Sequence, residues 1–283
     1  MINAGLLGLG WWGKLIIDTL KDSDQIRVTS ASSRTMKKHK KYLEEKKINA
    51  YATYDQMLEG KNIDAIIICT PNSQHENQLT AAIKAKKQVF CEKPMALSKR
   101  AAENMIRIAD ESNFIIGIGH ERRYDPAIEK LRSIVNDRSF GEKMHIEANW
   151  SHDILASLDD NNWRGSSIEA PAGGMTGTGV HMTDLFLSMF GSVEGLFAQS
   201  SNRVLSFETG DLSTVQMKFK NGATGQLSVI SKLVKNNKKD LNIIISTERA
   251  LQPHLINKKV FNENIITIIK NQELDLKQLI NKL

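Results

Sequence analysis

Residues 2 to 20 read INAGLLGLGWWGKLIIDTL, and three glycines inside this stretch decide how the first half of the chain is built. Residues 2 to 8 form a short apolar run suited to a buried strand, and WWGKLIIDTL has the look of a helix. Between them GLGWWG, residues 8 to 13, fits G-x-G-x-x-G in strand–turn–helix context. In such a turn Gly8 permits the tight bend, Gly10 lets a pyrophosphate approach, and Gly13 allows close helix packing. Free N–H groups at the helix start, near Trp12, then face the phosphates. The expectation is a dinucleotide site at Gly8, Gly10, Trp12 and Gly13.

Working outward, short apolar runs alternate with helical patterns up to about residue 120, the rhythm of parallel βαβ units. Strands are expected over 2–8, 26–32, 64–70, 88–92 and 114–119. Helix-like segments lie between them, and the one at 98–112 opens on an N-cap serine, Ser98. After GHERRYDP (119–126) the rhythm changes to one amphipathic helix at 127–136 and longer strands at 142–152, 213–219 and 222–231. The KNGA break (220–223) suits a hairpin in a mostly antiparallel sheet. The expected organisation is α/β: a Rossmann dinucleotide-binding domain over 1–120, then an α/β domain over 121–283 for substrate binding and oligomerisation.

Length and composition agree with two domains. A chain of 283 residues with 41% hydrophobic content can bury a sizeable core. The net charge of +6 is spread thinly, and its dense runs, KKHKK (37–41) and KNNKK (235–239), lack interleaved aromatics, so nucleic acid is not an expected partner. No apolar stretch reaches membrane-spanning length, and the apolar N-terminus lacks the basic region and cleavage site of a signal peptide. Two cysteines, Cys69 and Cys91, make neither a disulfide framework nor a metal spacing, which fits a reducing cytoplasm.

The residues after the other strands add chemistry. An acidic residue usually ends the second strand and binds the adenosine ribose. Here SASSRTMKK has no carboxylate at 31–34 and offers Ser33 and Arg34 instead, so NADP is favoured, with NAD as the alternative cofactor. Ligands of open α/β sheets bind beyond the carboxyl ends of the strands, where ICTPNSQH (68–75) and VFCEKP (89–94) end. Lys93 then points toward the nicotinamide region, with Pro94 holding its backbone extended, and could exchange a proton with a substrate oxygen.

At these residues the chain resembles the glucose-fructose oxidoreductase, inositol dehydrogenase and MocA (Gfo/Idh/MocA) family of NAD(P)-dependent dehydrogenases. The resemblance rests on GLGWWG, Thr70-Pro71-Asn72, His75, Glu92-Lys93-Pro94, Arg122-Arg123-Tyr124 with Pro126, Trp163-Arg164, and Gly179-x-His181-x-x-Asp184. It implies hydride transfer between nicotinamide and a sugar, polyol or inositol-like secondary alcohol or ketone, with Lys93 and His181 catalytic. It also implies that Thr70, Pro71, Asn72, His75 and Glu92 serve the cofactor, that Arg123, Trp163, Arg164, Thr178, His181 and Asp184 serve the substrate, and that the open second sheet makes a homodimer or homotetramer. No metal is implied.

In this light PAGGMTGTGVHMTDL (171–185) reads as a glycine- and threonine-lined pocket floor with free N–H groups, followed by a helix that carries His181 in its first turn and ends at Gly191. Asp184, three residues on, could orient the imidazole. Two departures stand out. Gly177 occupies a position where relatives commonly carry aspartate, so the carboxylate is dispensable, or Thr176, Thr178 or Asp184 replaces it, or the chemistry has weakened. The last option leaves a cofactor-binding sensor of the same fold as the rival function. Glu121 stands where relatives often have a neutral residue, and a salt bridge with a neighbouring arginine is its expected role. Relatives also usually run past KQLINKL, so the expectation is that closing elements of the second domain are absent from this sequence.

Overall fold

In the computed structural model, residues 1–152, 162–231, 240–247 and 265–270 are described. The basic run at 235–239 and the closing KQLINKL lie outside them. The chain divides into two compact units, Met1–Gly119 and His120–Leu283.

The first unit alternates strand and helix: β1 (Ile2–Leu7), α1 (Trp11–Thr19), β2 (Ile26–Ser32), α2 (Lys40–Lys46), β3 (Asn49–Tyr51), α3 (Tyr54–Leu58), β4 (Ala65–Ile68), α4 (His75–Lys84), β5 (Gln88–Cys91), α5 (Lys99–Ser112) and β6 (Ile116–Ile118). The strands pair in parallel in the order β3-β2-β1-β4-β5-β6. Their uninterrupted apolar runs follow from burial on both faces. In β4, Ile66 and Ile68 join Met57 of α3, Leu79 of α4 and Met105 of α5. Ile67, facing the other way, joins Leu6, Ile17 of α1 and Leu43 of α2. The Ser98 hydroxyl accepts from the Ala101 amide at 3.2 Å and so caps α5, as its sequence position predicts.

The second unit begins with a 3₁₀ turn, Glu121–Tyr124, then α6 (Pro126–Val135), β7 (Lys143–Ser151), α7 (Val180–Phe190), β8 (Val193–Ser201), β9 (Leu212–Phe219), β10 (Thr224–Ile230), β11 (Asp240–Thr247) and β12 (Ile265–Lys270). Its sheet runs β12-β11-β7-β10-β9-β8. The pairs are antiparallel except β7 with β10, which is parallel, so the sheet is mixed. One face packs on α6 and α7 through Ile146, Ala148, Trp150, Met217, Phe219 and Leu227. The other carries the exposed Phe197 of β8, at 60% and opposite Gln216, whereas Leu196, at 66%, sits opposite Met217 at the edge of the helix-packed face. The KNGA segment turns β9 into β10 with Gly222 at φ +89°, a left-handed conformation that favours glycine. Gly191, at φ +82°, ends α7.

One loop of this unit is held by a single carboxylate. Asp211 is buried and accepts from the amides of Arg203, Val204 and Leu205 at 2.5 to 3.1 Å. Burial pushes its carboxyl up, but the amides more than offset this and hold it below the ordinary carboxylate range.

Candidate active site

In the first unit the motif residues gather at the carboxyl ends of β1, β2, β4 and β5. Gly8 has φ +101°, and a Cβ there would lie 2.6 Å from the Cys69 carbonyl oxygen. A Cβ at Gly13 would lie 2.1 Å from the Gly8 carbonyl oxygen, whereas one at Gly10 would meet nothing within 4 Å. The first and third glycines thus close the turn, and the second faces open space. Gly10 is also the N-cap of α1 and brings no side-chain cap, which leaves that helix start suited to an anion. The Trp12 indole nitrogen is buried with no hydrogen-bond partner among the described residues, a donor of the kind an absent ligand would satisfy. These features fit a dinucleotide.

After β2, Ser32 accepts from the Gly8 amide at 2.9 Å, Ser33 is half-buried, and Arg34, Lys37 and Lys38 are exposed. After β4, the Thr70 hydroxyl donates to Gln78 Oε1 at 2.5 Å, and Asn72 opens a 3₁₀ turn. His75 differs from its expected role facing a ligand. It is fully buried, its Nδ1 2.9 Å from the Pro94 carbonyl oxygen and its Nε2 3.1 Å from that of Thr70. It is a brace between the loops after β4 and β5, of which the neutral ring's single N–H can serve one.

Lys93 stands half-buried beyond β5, joined to Pro94 by a cis peptide bond that the sequence pattern does not announce. Glu92 is buried, with its Oε2 3.3 Å from the Lys93 amide nitrogen. A Cβ on Gly119 would come within 2.6 Å of its Oε1. That glycine, unremarkable in sequence, makes room for the carboxylate. Burial first, and then the Glu92 charge, push the Cys91 thiol up to about 12, so it is not a nucleophile at neutral pH.

In the second unit the histidine's surroundings differ from the sequence expectation. The glycine–threonine run is not a loop floor: Met175–Gly179 form a π-helical turn that continues into α7. The amides of Met175, Thr176 and Gly177 are bonded to carbonyls of Ala172 and Gly173, so they are not offered to a ligand, and His181 lies well inside the helix. The glycines serve packing. A Cβ on Gly173 would lie 2.5 Å from the Thr209 carbonyl oxygen, and one on Gly174 2.5 Å from the Ser231 hydroxyl. Thr178 donates to the Gly174 carbonyl at 2.8 Å and touches His152 Nε2 at 3.3 Å.

Asp184 does not orient His181. Its two oxygens accept from Arg123 Nε and Nη2, each at 2.6 Å, because the guanidinium fork matches a carboxylate on two points. Both partners, expected to bind substrate, are committed to each other, and this hydrogen bonding holds Arg123 above its ordinary range. His181, 4% exposed, instead has its Nδ1 3.6 Å from Glu121 Oε2 and its ring 5.6 Å from that of Trp150. Glu121 Oε1 is 3.5 Å from Arg122 Nε, the neighbouring-arginine pair its position predicts. The Arg164 guanidinium stacks on Trp163 at 4.3 Å, and burial lowers its pKa.

Residues 2–120 match the oxidoreductase family with an NAD-binding Rossmann fold, and residues 128–250 match the GFO/IDH/MocA C-terminal domain. The chain belongs to the Gfo/Idh/MocA family. It is 30% identical to myo-inositol 2-dehydrogenase of Thermotoga maritima over 234 residues, 79% of this chain and 67% of the relative. It is 25% identical to the NADP(+) D-xylose 1-dehydrogenase of Haloarcula marismortui over 169 residues, 58% of this chain and 47% of the relative. Among solved structures, the WlbA dehydrogenase of Bordetella pertussis, in complex with NADH and UDP-GlcNAcA, superposes with TM-score 0.81 at 22% identity, covering 88% of this chain and 76% of the other. GenD2 from gentamicin A biosynthesis, in complex with NAD, gives 0.80 at 20% identity, covering 95% and 72%. At such identities these two show the shared fold. Among the described residues no helix is long and apolar enough to cross a membrane.

Proposed function

We propose that the protein is an oxidoreductase that moves a hydride between NADP(H) and a sugar, polyol or inositol-like secondary alcohol or its ketone. The observation that carries this reading is the position of Lys93 beyond β5, in the row of strand ends that also holds the Gly8–Gly13 turn and Thr70–Asn72. The relatives' names support the substrate class. Ser33 and Arg34, standing where a ribose-binding carboxylate is absent, support a 2′-phosphate and hence NADP over NAD.

Gly8, Gly10, Trp12 and Gly13 would hold the pyrophosphate, Ser33 and Arg34 the adenosine end, and Thr70, Pro71, Asn72 and Glu92 the nicotinamide side. Bound nicotinamide supplies the hydride carrier. Lys93 is assigned to hydrogen-bond the reacting oxygen and exchange its proton, and His181 is assigned to proton relay. Trp163 and Arg164 remain the substrate-facing assignments. We infer further that the open face with Phe197 seats a second copy of this chain, and that the free, unreactive cysteines fit the cytoplasm.

The test is turnover: nicotinamide absorbance followed with both cofactors in both oxidation states against aldoses, ketoses, inositols and their ketones. Consumption of NADPH or NADP on one of these is the expected result. No turnover across the panel would overturn the reading in favour of a cofactor-binding sensor. Sedimentation of wild type and Phe197→Glu tests the second copy, with dissociation by the variant expected.

A further inference from the structure

We propose that Glu121 is the positioning carboxylate of His181, holding the imidazole by its Nδ1 edge and stabilising the ring when it takes up a proton. This rests on the relay role just assigned to His181, and it goes beyond that role by naming the group behind it.

A histidine inside α7 and 4% exposed has little water to support an imidazolium, so a relay at this position needs a nearby anion. Its own helix does not supply one, because the Asp184 oxygens are spent on Arg123. Glu121 supplies it from the 3₁₀ turn 121–124. At 3.6 Å from Nδ1 the contact is an ion-pair distance rather than a short hydrogen bond, and it acts through charge. The carboxylate is itself steadied. Its other oxygen meets Arg122 at 3.5 Å, the Arg122 guanidinium lies 5.3 Å from the centre of the Trp150 ring, and that ring lies 5.6 Å from His181. Glu121, Arg122 and Trp150 thus close a circuit with the imidazole. With Nδ1 turned to the carboxylate, Nε2 is the atom assigned to the substrate proton.

Charged and titratable groups near His181 among the described residues come from several elements. Glu121 and Arg122 lie on the turn, and His120 precedes it with its ring 6.1 Å away. Asp184 and Arg123 form their pair one turn along α7, and His152 reaches Thr178 from the end of β7.

The experiment titrates the ring resonances of His181 in the full chain without cofactor, identified by their loss in His181→Asn. Glu121→Gln should lower the pH midpoint by about one unit, the low end of the range for an opposite charge at this distance because Glu121 is partly exposed. Glu121→Asp, which keeps the charge but withdraws it, should lower the midpoint by less and carries the test if the glutamine variant does not fold. Arg122→Gln, which breaks the same turn's ion pair but spares the carboxylate, should not lower the midpoint. Gly177→Asp added to Glu121→Gln should raise it again, since a Cβ at 177 meets open space one turn ahead of His181. In alcohol oxidation by Glu121→Gln, the acid limb of kcat/KM should move down by the same interval and kcat should fall about 10-fold, with KM unchanged. A midpoint unmoved in folded Glu121→Gln overturns the proposal. Wild type that turns over no alcohol overturns the oxidoreductase reading instead, and the resonance midpoints still decide the role of Glu121.

Discussion

In the turn at residues 8–13 the surface offered to a ligand is backbone, shaped by where side chains are missing. Around His181 it is made of charged side chains that have already chosen partners. The first arrangement is rigid because a Cβ at Gly8 or Gly13 would strike a carbonyl. The second is rigid because Arg123–Asp184 and Glu121–Arg122 hold one another. A site made by absence fails through crowding, whereas a site made by pairing fails when one partner is left alone.

The sharpest way to break this comparison is chemical. Lys93→Met should cut turnover about 10²- to 10⁴-fold while cofactor affinity stays within a few-fold, because the ammonium serves the reacting oxygen and the backbone turn serves the phosphates. Stopped-flow turnover and cofactor titration on one preparation decide it. Retained activity would place Lys93 outside the chemistry.

Next come the glycines, which should separate folding from binding. Gly13→Ala pushes a methyl into the Gly8 carbonyl and should cost about 3 kcal/mol by urea denaturation. Gly10→Ala meets open space and should cost less than about 1 kcal/mol, yet weaken cofactor binding at least ~10-fold by filling the approach to the phosphates. If both variants lose stability equally, the turn lacks the division of labour described.

For the paired site, Asp184→Asn strands the Arg123 guanidinium. Breaking a fully buried pair costs roughly 3–5 kcal/mol, but the Arg123 side chain is 41% exposed, so about 2 kcal/mol is expected from denaturation, with cofactor affinity unchanged.

Arg34→Ala should weaken NADP binding by about 10- to 100-fold and leave NAD untouched, the loss of one charge-assisted contact. Equal losses for both cofactors would remove the 2′-phosphate assignment.

The smallest effect concerns Asp211. Its carboxyl is depressed in the folded chain, so its contribution is full above the unfolded value of about 3.9 and is lost as pH falls through the lower folded value. Asp211→Asn should flatten the acid side of the thermal stability profile in that window.

The same contrast explains what the sequence discloses. The strands β1, β2, β4 and β5 are legible because burial on both faces writes them as continuous apolar runs, and the glycine spacing encodes a turn by local sterics alone. Strand β3 has only three residues, and β8 exposes Leu196 and Phe197 without alternation, so neither leaves a pattern. Arg123 and Asp184 stand 61 positions apart, and nothing local says that they meet. Glu121 is conspicuous in sequence as an unexpected charge, but its second partner, His181, emerges only when the turn is set against α7. Spacing likewise cannot show that Met175–Gly179 winds more widely than the helix it feeds.

That wide turn sets a rotational phase. An α-helix advances about 100° per residue, and a π turn accommodates roughly one residue more than an α turn does. At its far end α7 is locked in azimuth by Met182, Leu185, Phe186 and Met189 in the core. At its near end Gly173 and Gly174 are locked against Thr209 and Ser231. Deleting a single residue here can be taken up by tightening the wide turn to an α turn, which keeps the anchors in step, whereas inserting one has no such outlet and would leave them out of step by about 100°, so either His181 would swing off its bearing or the glycines would lose their seats. In this segment the slack runs one way only: a residue is removed more safely than one is added.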